Sequence, residues 1–449
     1  MRRLPKRKGI SLGTILMLSL TCLVLLGCVW LYPRLVGETS FHFDAKELAV
    51  VFDRSHLDIL KGQAAPKAAV SAPLETTADS PQMSFPVIPS ATAVPDIPQK
   101  RSFRLTAAGS VQLDAAVQKT MADGDQFSEI FAPIAAEIKG DLSLFTLEQT
   151  AISTEKNTNN NLAANALPAL QTAGFNAVSL GYPGIFNNGL SGTAATQDAL
   201  RAAGMTPYGV FATKEQRNVF STITINGVTV TLLSYQNDIS NAGKKNTTKD
   251  EQAFAFYPPT LSSIGDDIQR ARAAGGQVII VSLSWGKKGA TAATNAQREL
   301  AQSIANAGAD IILGTFSGAV QPVEVLTASR PGGQQSQTLC AYSLGNLFSN
   351  DRSKRSSISG ILLHANITYD PVSGTTAFDQ LSYTPTYVWK GRKDSKNIFS
   401  IFPSDITPPD YVKSDQVTVM NRSLSLIQGV MQNTAIPLRT ADSAFSGQP

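Results

Sequence analysis

Residues 295–314 have the sequence NAQRELAQSIANAGADIILG. The segment Asn295–Ala307 is rich in helix-forming residues and spaces its apolar side chains as an amphipathic helix does. Gly308 follows, at the position where glycine ends many helices in the left-handed conformation. The apolar run Ile311–Leu313 comes next and predicts a buried strand. A helix, a glycine and a buried strand in this order indicate one half of a βαβ crossover.

The same pattern repeats on the N-terminal side of this segment. Three more predicted helices are each followed by a glycine (Gly174, Gly204 or Gly275): Ala163–Thr172, Ala194–Ala203 and Ser262–Ala274. Four more apolar runs predict strands: Phe103–Ala108, Leu142–Leu147, Ala177–Leu180 and Val278–Leu283. Alternating helices and strands favour an α/β fold in which helices cover a sheet.

A hairpin signal adds antiparallel strands to this pattern. Asn226-Gly227 lies between two β-branched runs, Phe220–Ile225 and Val228–Leu233. An Asn-Gly pair in that setting is the strongest short signal for a tight hairpin. The fold class predicted from the sequence is therefore α/β, a mixed β-sheet sandwich flanked by helices.

The N-terminus has the features of a membrane anchor. No residue from Ile10 to Tyr32 is charged, and at about 1.5 Å per residue a helix of this length spans the roughly 30 Å core of a bilayer. Five basic residues precede it in the tail 1–9: Arg2, Arg3, Lys6, Arg7 and Lys8. The positive-inside rule then places this tail in the cytoplasm and the main domain outside a plasma membrane crossed once.

Two processed forms are alternatives to this anchor. A basic tail and an apolar run also describe a signal peptide, and Leu25–Cys28 faintly resembles a lipoprotein processing site. The apolar run is longer than the core of a signal peptide and continues past Cys28. An uncleaved anchor is therefore the favoured interpretation.

Composition divides the rest of the chain. Residues 33–60 form a juxtamembrane segment, and residues 61–100 are rich in Ala, Pro, Ser and Thr. Such a composition buries too little apolar surface to fold, so this second segment is expected to act as a tether. A globular domain is predicted over residues 101–395. A peripheral C-terminal extension, residues 396–449, contains one predicted helix at Ser414–Gln432.

Charge and cysteine content argue against two classes of protein. The basic tail outweighs the formal net charge of +4, so the exported part is close to neutral and offers no electrostatic surface for nucleic acid. Of the three cysteines, Cys22 and Cys28 lie in the predicted anchor, which leaves Cys340 alone in the domain. No intrachain disulfide is expected there, and Cys340 is predicted to be a small buried residue on a strand.

Four motifs follow one another in the second half of the domain: QRELA at 297–301, AGADIILG at 307–314, QPVE at 321–324 and YSLGN at 342–346. In order and spacing they resemble the CapA family of capsule and poly-γ-glutamate synthesis proteins. Further resembling stretches cover most of residues 103–350. The resemblance implies a metallophosphatase-like fold and a dinuclear metal site at the C-terminal tips of the strands.

The sequence departs from that family at nearly every ligand position. Where the family has Gly-Asp, Asn-Leu-Glu and Asn-Asn-His, this chain has Gly109-Ser110, Thr146-Leu147-Glu148 and Gly181-Tyr182-Pro183-Gly184. The His-Trp-Gly motif corresponds to Ser284-Trp285-Gly286, and Gly-His-His-Pro-His corresponds to Gly314-Thr315-Phe316-Ser317-Gly318. One carboxylate, that of Glu148, is retained.

The histidine content agrees with this loss. The three histidines of the chain are His42, His56 and His364, and none belongs to these motifs. A transition metal needs several close imidazole, thiolate or carboxylate ligands, and Mg²⁺ or Ca²⁺ needs several oxygens, so no metal, cofactor or catalytic residue is expected. The serines have no neighbouring histidine base. The expected remnant of the pocket consists of Ser110, Glu148, Tyr182, Ser284, Trp285, Ser317 and Asn346.

Some of these residues also have a purely structural interpretation. Glu148 could cap a helix or pair with a lysine, Trp285 could belong to the core, and Asn346 could fix a turn. The leading hypothesis is a non-catalytic domain that binds an envelope polymer or a membrane protein of capsule synthesis. A second is a hydrolase or ligase for a γ-linked or phosphorylated polymer that uses Glu148, Asn346 and a substrate-supplied metal. A third is a tethered structural subunit of a membrane complex.

Overall fold

The computed structural model describes residues 98–121, 126–151, 161–163, 166–255, 258–393 and 396–439. The predicted anchor, the juxtamembrane segment and nearly all of the tether lie outside these residues. Within the described ranges, no helix combines the length and the apolar character needed to cross a membrane.

Helices and strands alternate along most of the described chain. The α-helices are α1 (Ala115–Met121), α2 (Gln126–Phe131), α3 (Ala166–Thr172), α4 (Gly189–Ala202), α5 (Asn241–Asn246), α6 (Lys249–Ala255), α7 (Leu261–Ala273), α8 (Asn295–Ala307) and α9 (Ser414–Met431). Short 3-10 helices occupy Ala132–Glu137, Gln216–Asn218 and Arg355–Ile358. The strands are β1 (Arg101–Val111), β2 (Leu142–Leu147), β3 (Thr150–Ala151), β4 (Asn161–Leu162), β5 (Ala177–Ser179), β6 (Thr206–Tyr208), β7 (Ser221–Ile225), β8 (Val228–Gln236), β9 (Val278–Ser284), β10 (Ile311–Thr315), β11 (Val323–Ser329), β12 (Gln335–Ala341), β13 (Asn346–Phe348), β14 (Ser359–Asp370), β15 (Thr375–Lys393) and β16 (Lys396–Pro403).

These strands form two large mixed sheets. The first has the order β16-β15-β14-β1-β2-β5-β6, with β13 also paired to β1, and the second has the order β11-β12-β10-β9-β8-β7. The strands β1, β2, β5 and β6 are parallel, as are β8, β9, β10 and β12. The C-terminal strands β14, β15 and β16 add to the first sheet in antiparallel fashion. Strands β3 and β4 make a separate two-stranded sheet.

Buried side chains show that the two sheets pack face to face between layers of helices. Leu105 of β1 and Leu313 of β10 belong to one apolar cluster, which fills the space between the sheets. On the outer face of the first sheet, Phe145 of β2 packs in a second cluster with Leu170 of α3. On the outer face of the second sheet, a third cluster contains Ile304 of α8. The predicted α/β sandwich flanked by helices is therefore present.

The local predictions agree closely with the elements found. The helix Asn295–Ala307 has the predicted bounds, and Gly308 ends it with a φ of 113°. Asn226 and Gly227 have φ values of 50° and 75°, the left-handed pair that a tight two-residue hairpin requires. Two helices differ in their start: α3 begins at Ala166 rather than at Ala163, and α4 begins at Gly189 rather than at Ala194.

The C-terminal segment is built into the fold rather than standing apart from it. The extension predicted from residue 396 begins with β16, which pairs with β15 along its whole length. Helix α9 follows, and Ile427, Met431 and Ile436 are buried in the cluster between the sheets. These side chains could not remain in water without a cost of about 1.5 to 3 kcal/mol each, so the extension packs onto the domain.

A fully buried carboxylate ties the C-terminal strands to the second sheet. Asp310, just before β10, accepts hydrogen bonds from the guanidinium groups of Arg272 and Arg330 at 2.6 and 2.5 Å. It also accepts from the backbone of Ile279 at 2.7 Å and from the hydroxyl of Thr376 on β15 at 3.0 Å. Breaking such a buried pair by removing one partner costs about 3 to 5 kcal/mol, because the other charge stays buried.

Candidate functional site

The C-terminal tips of the central strands come together around Ser110. In β1, Ser110 lies opposite Thr146 of β2 and Asn346 of β13. The register of β1 against β2 shifts just before Ser110, as it often does where a strand re-aims side chains toward a site. A Cβ on Gly109 would lie 2.1 Å from the carbonyl oxygen of Gly345. Only glycine at this position lets the two chain segments approach so closely.

A polar cavity of about 280 Å³ opens at these tips. Three of the predicted site residues line it: Glu148, Ser317 and Asn346. The other walls carry further polar and charged side chains, among them Gln112, Lys288, Asp351 and Lys354. The cavity is therefore suited to a ligand that offers both hydrogen-bonding groups and charge.

Glu148 contributes a carboxyl to the lining of this cavity. Burial raises its pKa above the usual value, while the Ser110 hydroxyl and the Lys288 ammonium oppose that shift. The Ser110 hydroxyl is fully buried and has no partner at ordinary hydrogen-bond geometry, so it remains available to the carboxyl. Burial and the charge of Glu148 together raise the pKa of the Tyr182 phenol well above its usual value. The structure thus groups Ser110, Glu148 and Tyr182.

Ser317 and Asn346 line the cavity with side chains that are already engaged. The Ser317 hydroxyl donates to the carbonyl of Ala290 at 2.7 Å. The Asn346 amide donates to the carbonyl of Ser357 at 2.8 Å, which fixes the loop that follows β13. The structural interpretation of Asn346 therefore applies, although its amide oxygen still has acceptor capacity.

Ser284 and Trp285 do not belong to the cavity walls. Ser284 is buried at the end of β9, between Gln236 of β8 and Thr315 of β10. The Trp285 indole donates to the carbonyl of Tyr342 at 2.9 Å and stacks on the Tyr342 ring, with the centroids 6.1 Å apart. Trp285 therefore lies in the core, which agrees with the structural interpretation of this residue.

Three charged residues of the cavity are absent from the set chosen by sequence. The charge of Lys288 partly offsets the burial that raises the pKa of Glu148 and contributes to the lowered pKa of Asp351, so its ammonium acts on both carboxyl groups. The Lys354 ammonium lies over Gly289, 2.9 Å from where a Cβ would be. Lys288 lies two residues after Gly286, just past the end of β9. A search for polar residues just after each predicted strand could therefore have found it. Asp351 and Lys354 come from the loop after β13, whose path no periodicity encodes.

Asp351 is a second carboxylate of the cavity and comes from a loop rather than from a strand tip. The pKa of Asp351 is lowered by hydrogen bonds from the side chain and backbone of Ser353, with a smaller contribution from Lys288. The backbone N–H of Ser353 donates to this carboxylate at 2.9 Å. Asp351 is therefore ionised and held within its own turn.

This donor set does not fit the dinuclear metal centre that the family resemblance implies. Among the described residues, no three His, Cys, Asp or Glu side chains are grouped so that they could hold a metal ion. His364 lies on β14 opposite Thr106, four residues before Ser110 along β1, which is roughly 13 Å at the rise of a strand. Burial, with a smaller contribution from Arg439, lowers its pKa to about 4.

Comparisons with known proteins agree on one family. A family profile described as "Bacterial capsule synthesis protein PGA_cap" matches residues 104–351. The "PGA biosynthesis protein CapA" of Bacillus subtilis (strain 168) is 26% identical over 210 residues, which is 40% of this chain and 50% of that protein. The "Capsule biosynthesis protein CapA" of Bacillus anthracis is 25% identical over 193 residues, 43% of this chain and 44% of that one.

The chain thus spans about half the length of the curated relatives it matches. Among solved structures, a hypothetical protein from Thermus thermophilus is 13% identical. That likeness covers 64% of this chain and 98% of the other, with a TM-score of 0.35.

Proposed function

The chain belongs to the family of bacterial capsule synthesis proteins, and we propose that it is a membrane-anchored, non-catalytic component of capsule or surface-polymer biogenesis. In this proposal the strand-tip cavity binds an envelope polymer, or a membrane protein of the same assembly, without converting it. The observation that carries the proposal is the donor set around Glu148, in which serine and tyrosine stand where the family resemblance implies metal ligands and the remaining polar lining is lysine and asparagine.

Electrostatics support binding over metal-assisted turnover. A carboxyl whose pKa is raised by burial is a poor ligand for a cation, because it must give up its proton in an apolar setting. Lys288 already supplies positive charge to Glu148 and Asp351. A second cation at the same place would meet like-charge repulsion.

The lining favours an acidic polymer as the ligand. The ammonium groups of Lys288 and Lys354 stand at the cavity and can pair with carboxylates, while the hydroxyl and amide groups can bind a polymer backbone. The name of the Bacillus subtilis relative includes PGA, and poly-γ-glutamate is accordingly the first candidate.

The membrane anchor is part of the same proposal. Ile10–Tyr32 would hold the domain to the plasma membrane, and residues 61–100 would set its reach. Alkaline extraction of membranes tests this: the full chain should stay in the pellet, and a chain without residues 1–35 should not. Release of the full chain by this treatment would contradict the anchor.

The experiment on the cavity uses the full chain purified in detergent. We expect substoichiometric Mn and Zn by elemental analysis, and saturable binding of poly-γ-glutamate oligomers by calorimetry. The double variant Lys288→Ala, Lys354→Ala should weaken that binding at least tenfold, about 1.4 kcal/mol. Lys245→Ala, an exposed lysine on α5, is the matched control. Stoichiometric Mn or Zn in the purified protein would overturn the non-catalytic proposal.

An enzymatic function is the second candidate, because a carboxyl with a raised pKa in a cavity is a frequent sign of acid–base chemistry. Glu148, with the buried Ser110 hydroxyl beside it, has that property. The domain would then hydrolyse or ligate a γ-linked or phosphorylated polymer with a metal brought by the substrate. Incubation of the polymer with the protein and Mg²⁺, compared with Glu148→Gln, separates the two candidates: cleavage lost in the variant supports the enzyme.

A further inference from the structure

A second concavity lies mainly in the C-terminal part of the chain, where most of its lining residues follow the segment that the family profile matches. Its volume is about 870 Å³, within the range of pockets that bind ligands. The walls come from the β15–β16 hairpin, from the 3-10 helix Ala132–Glu137 and from the start of α9. None of these walls takes part in the strand-tip cavity.

The floor of this groove is an indole ring held in a fixed orientation. Trp389 Nε1 donates to the Gln416 side chain at 2.9 Å, and the same side chain donates to the carbonyl of Lys390 at 2.7 Å. A Cβ on Gly391 would lie 2.1 Å from the Trp389 ring. Glycine at 391 therefore lets the ring fold across the strand, and Gln416 locks it there.

One wall is an aromatic ring that remains largely in solvent. Tyr411 is 60% exposed, although its ring centroid is 5.4 Å from that of Trp389 with an angle of 58° between the planes. Tyrosine in such a position offers a flat apolar face at the edge of a concave site. Exposed large aromatic groups beside a cavity are a frequent feature of ligand-binding surfaces.

Charged and amide side chains surround these rings. Lys390, Arg392 and Lys413 line the groove together with the carboxylates of Glu129 and Asp415. Asp415 lies in the first turn of α9, where the helix dipole partly compensates its charge. The remaining field is therefore positive, and the side chain of Asn397 adds hydrogen-bonding capacity.

We propose that this groove binds an acidic saccharide chain. A sugar ring combines an apolar face, which stacks on an aromatic side chain, with hydroxyl edges that need amide and charged partners, and its acidic substituents would pair with the lysines. A peptide added as a strand is disfavoured, because the outer side of β16 packs against α2 and the 3-10 helix that follows it. The proposal is independent of the function assigned to the strand-tip cavity.

The test is calorimetric titration of the full chain in detergent with tetragalacturonate, with maltotetraose as the neutral counterpart. We expect saturable binding of the acidic tetrasaccharide and at least tenfold weaker binding of the neutral one. Tyr411→Ala should weaken the acidic tetrasaccharide at least tenfold, and Tyr411→Phe, which keeps the ring, should stay within about twofold of the parent. Ile406→Ala, another exposed side chain of the same loop, should bind as the parent does.

Three outcomes would overturn the proposal. They are the absence of saturable binding to either saccharide, equal binding by Tyr411→Ala and the parent, and preferential binding of a peptide of residues 81–98. The peptide result would assign the groove to the proline-rich tether of the chain itself. Thermal unfolding of each variant confirms that a loss of binding is not a loss of fold.

Discussion

The strand-tip cavity and the C-terminal groove are built by different means. At the tips, backbone segments meet at van der Waals contact, as Gly109 does with Gly345, and short polar side chains line what remains. In the groove, a hairpin and a helix start leave an opening that aromatic side chains shape. The first site is therefore specified by the positions of strands, whereas the second depends on a few large side chains.

The largest expected effect is on the groove side of this comparison. Trp389→Ala should lower the free energy of unfolding by about 3 to 5 kcal/mol, since the indole is nearly fully buried and packs on Phe402. Tyr411→Ala should change it by less than about 1 kcal/mol, because that ring lies mainly in solvent. Urea denaturation followed by far-UV circular dichroism measures both. Equal losses of unfolding free energy in the two variants would mean that Trp389 and Tyr411 contribute alike to stability, against this prediction.

A second pair of variants compares the backbone of the two regions. Gly109→Ala should destabilise the protein by about 2 to 3 kcal/mol, because the new methyl group has no room beside Gly345. Gly429→Ala on α9 meets nothing within 4 Å and should stabilise it by up to about 1 kcal/mol through helix propensity. Opposite signs in the two shifts of the urea midpoint are expected. A neutral Gly109→Ala would show that the strand tips can spread.

The smallest expected effect concerns the charge in the strand-tip cavity. A carboxyl whose pKa is raised on folding holds its proton more tightly in the native state than in the unfolded state. The stability it confers is therefore present below the unfolded pKa of 4.5 and is lost as the pH rises through the folded pKa. Glu148→Gln removes this loss. The Tm of the variant relative to the parent should be higher at about pH 7 than at about pH 4.

Scanning calorimetry at the two pH values is the measurement, and Glu299→Gln on the exposed side of α8 is the control. Glu299 does not line the cavity, so its replacement should give the same Tm difference at both values. A Glu148→Gln difference that stays constant or falls with pH would mean that the Glu148 carboxyl ionises at no cost.

Much of the fold could be predicted because its signals are local. The helix α8 has a capping box at Thr294 and Gln297 and a C-terminal cap at Gly308. Residues next to each end therefore determine where it begins and ends. The hairpin at Asn226-Gly227 is equally local. Cys340 is fully buried on β12, as expected from its apolar neighbours. Each of these predictions required only a short window of sequence.

The strands β15 and β16 could not be found in this way. Their polar and apolar residues alternate, but the alternation is interrupted. Gln380 has a left-handed backbone conformation, and the pairing of β14 with β15 changes register next to His364. Their place beside β14 is fixed by pairing and by buried contacts to distant residues, of which Thr376 with Asp310 is one. Such long-range partners leave no mark on local periodicity.

The site was predictable only in part for a similar reason. Alignment with a known family points to Ser110, Glu148 and Ser317, because the strand tips are carried by the fold. Asp351 and Lys354 reach the cavity on a loop whose ends are joined by a hydrogen bond from the Asn346 amide to the Ser357 carbonyl. That path is not visible in the local sequence. Trp285 resembles a site residue in sequence, yet its hydrogen bond to Tyr342 turns it inward.

The position of β14 has a practical consequence for anyone expressing a fragment. The family profile stops at residue 351, but β14 is the neighbour that satisfies the backbone of β1 from Arg101 to Ala108. A fragment ending there would present an unprotected sheet edge in the middle of the molecule, the usual starting point for aggregation. Expression boundaries should therefore extend to residue 439, past residue 351 where the profile match ends.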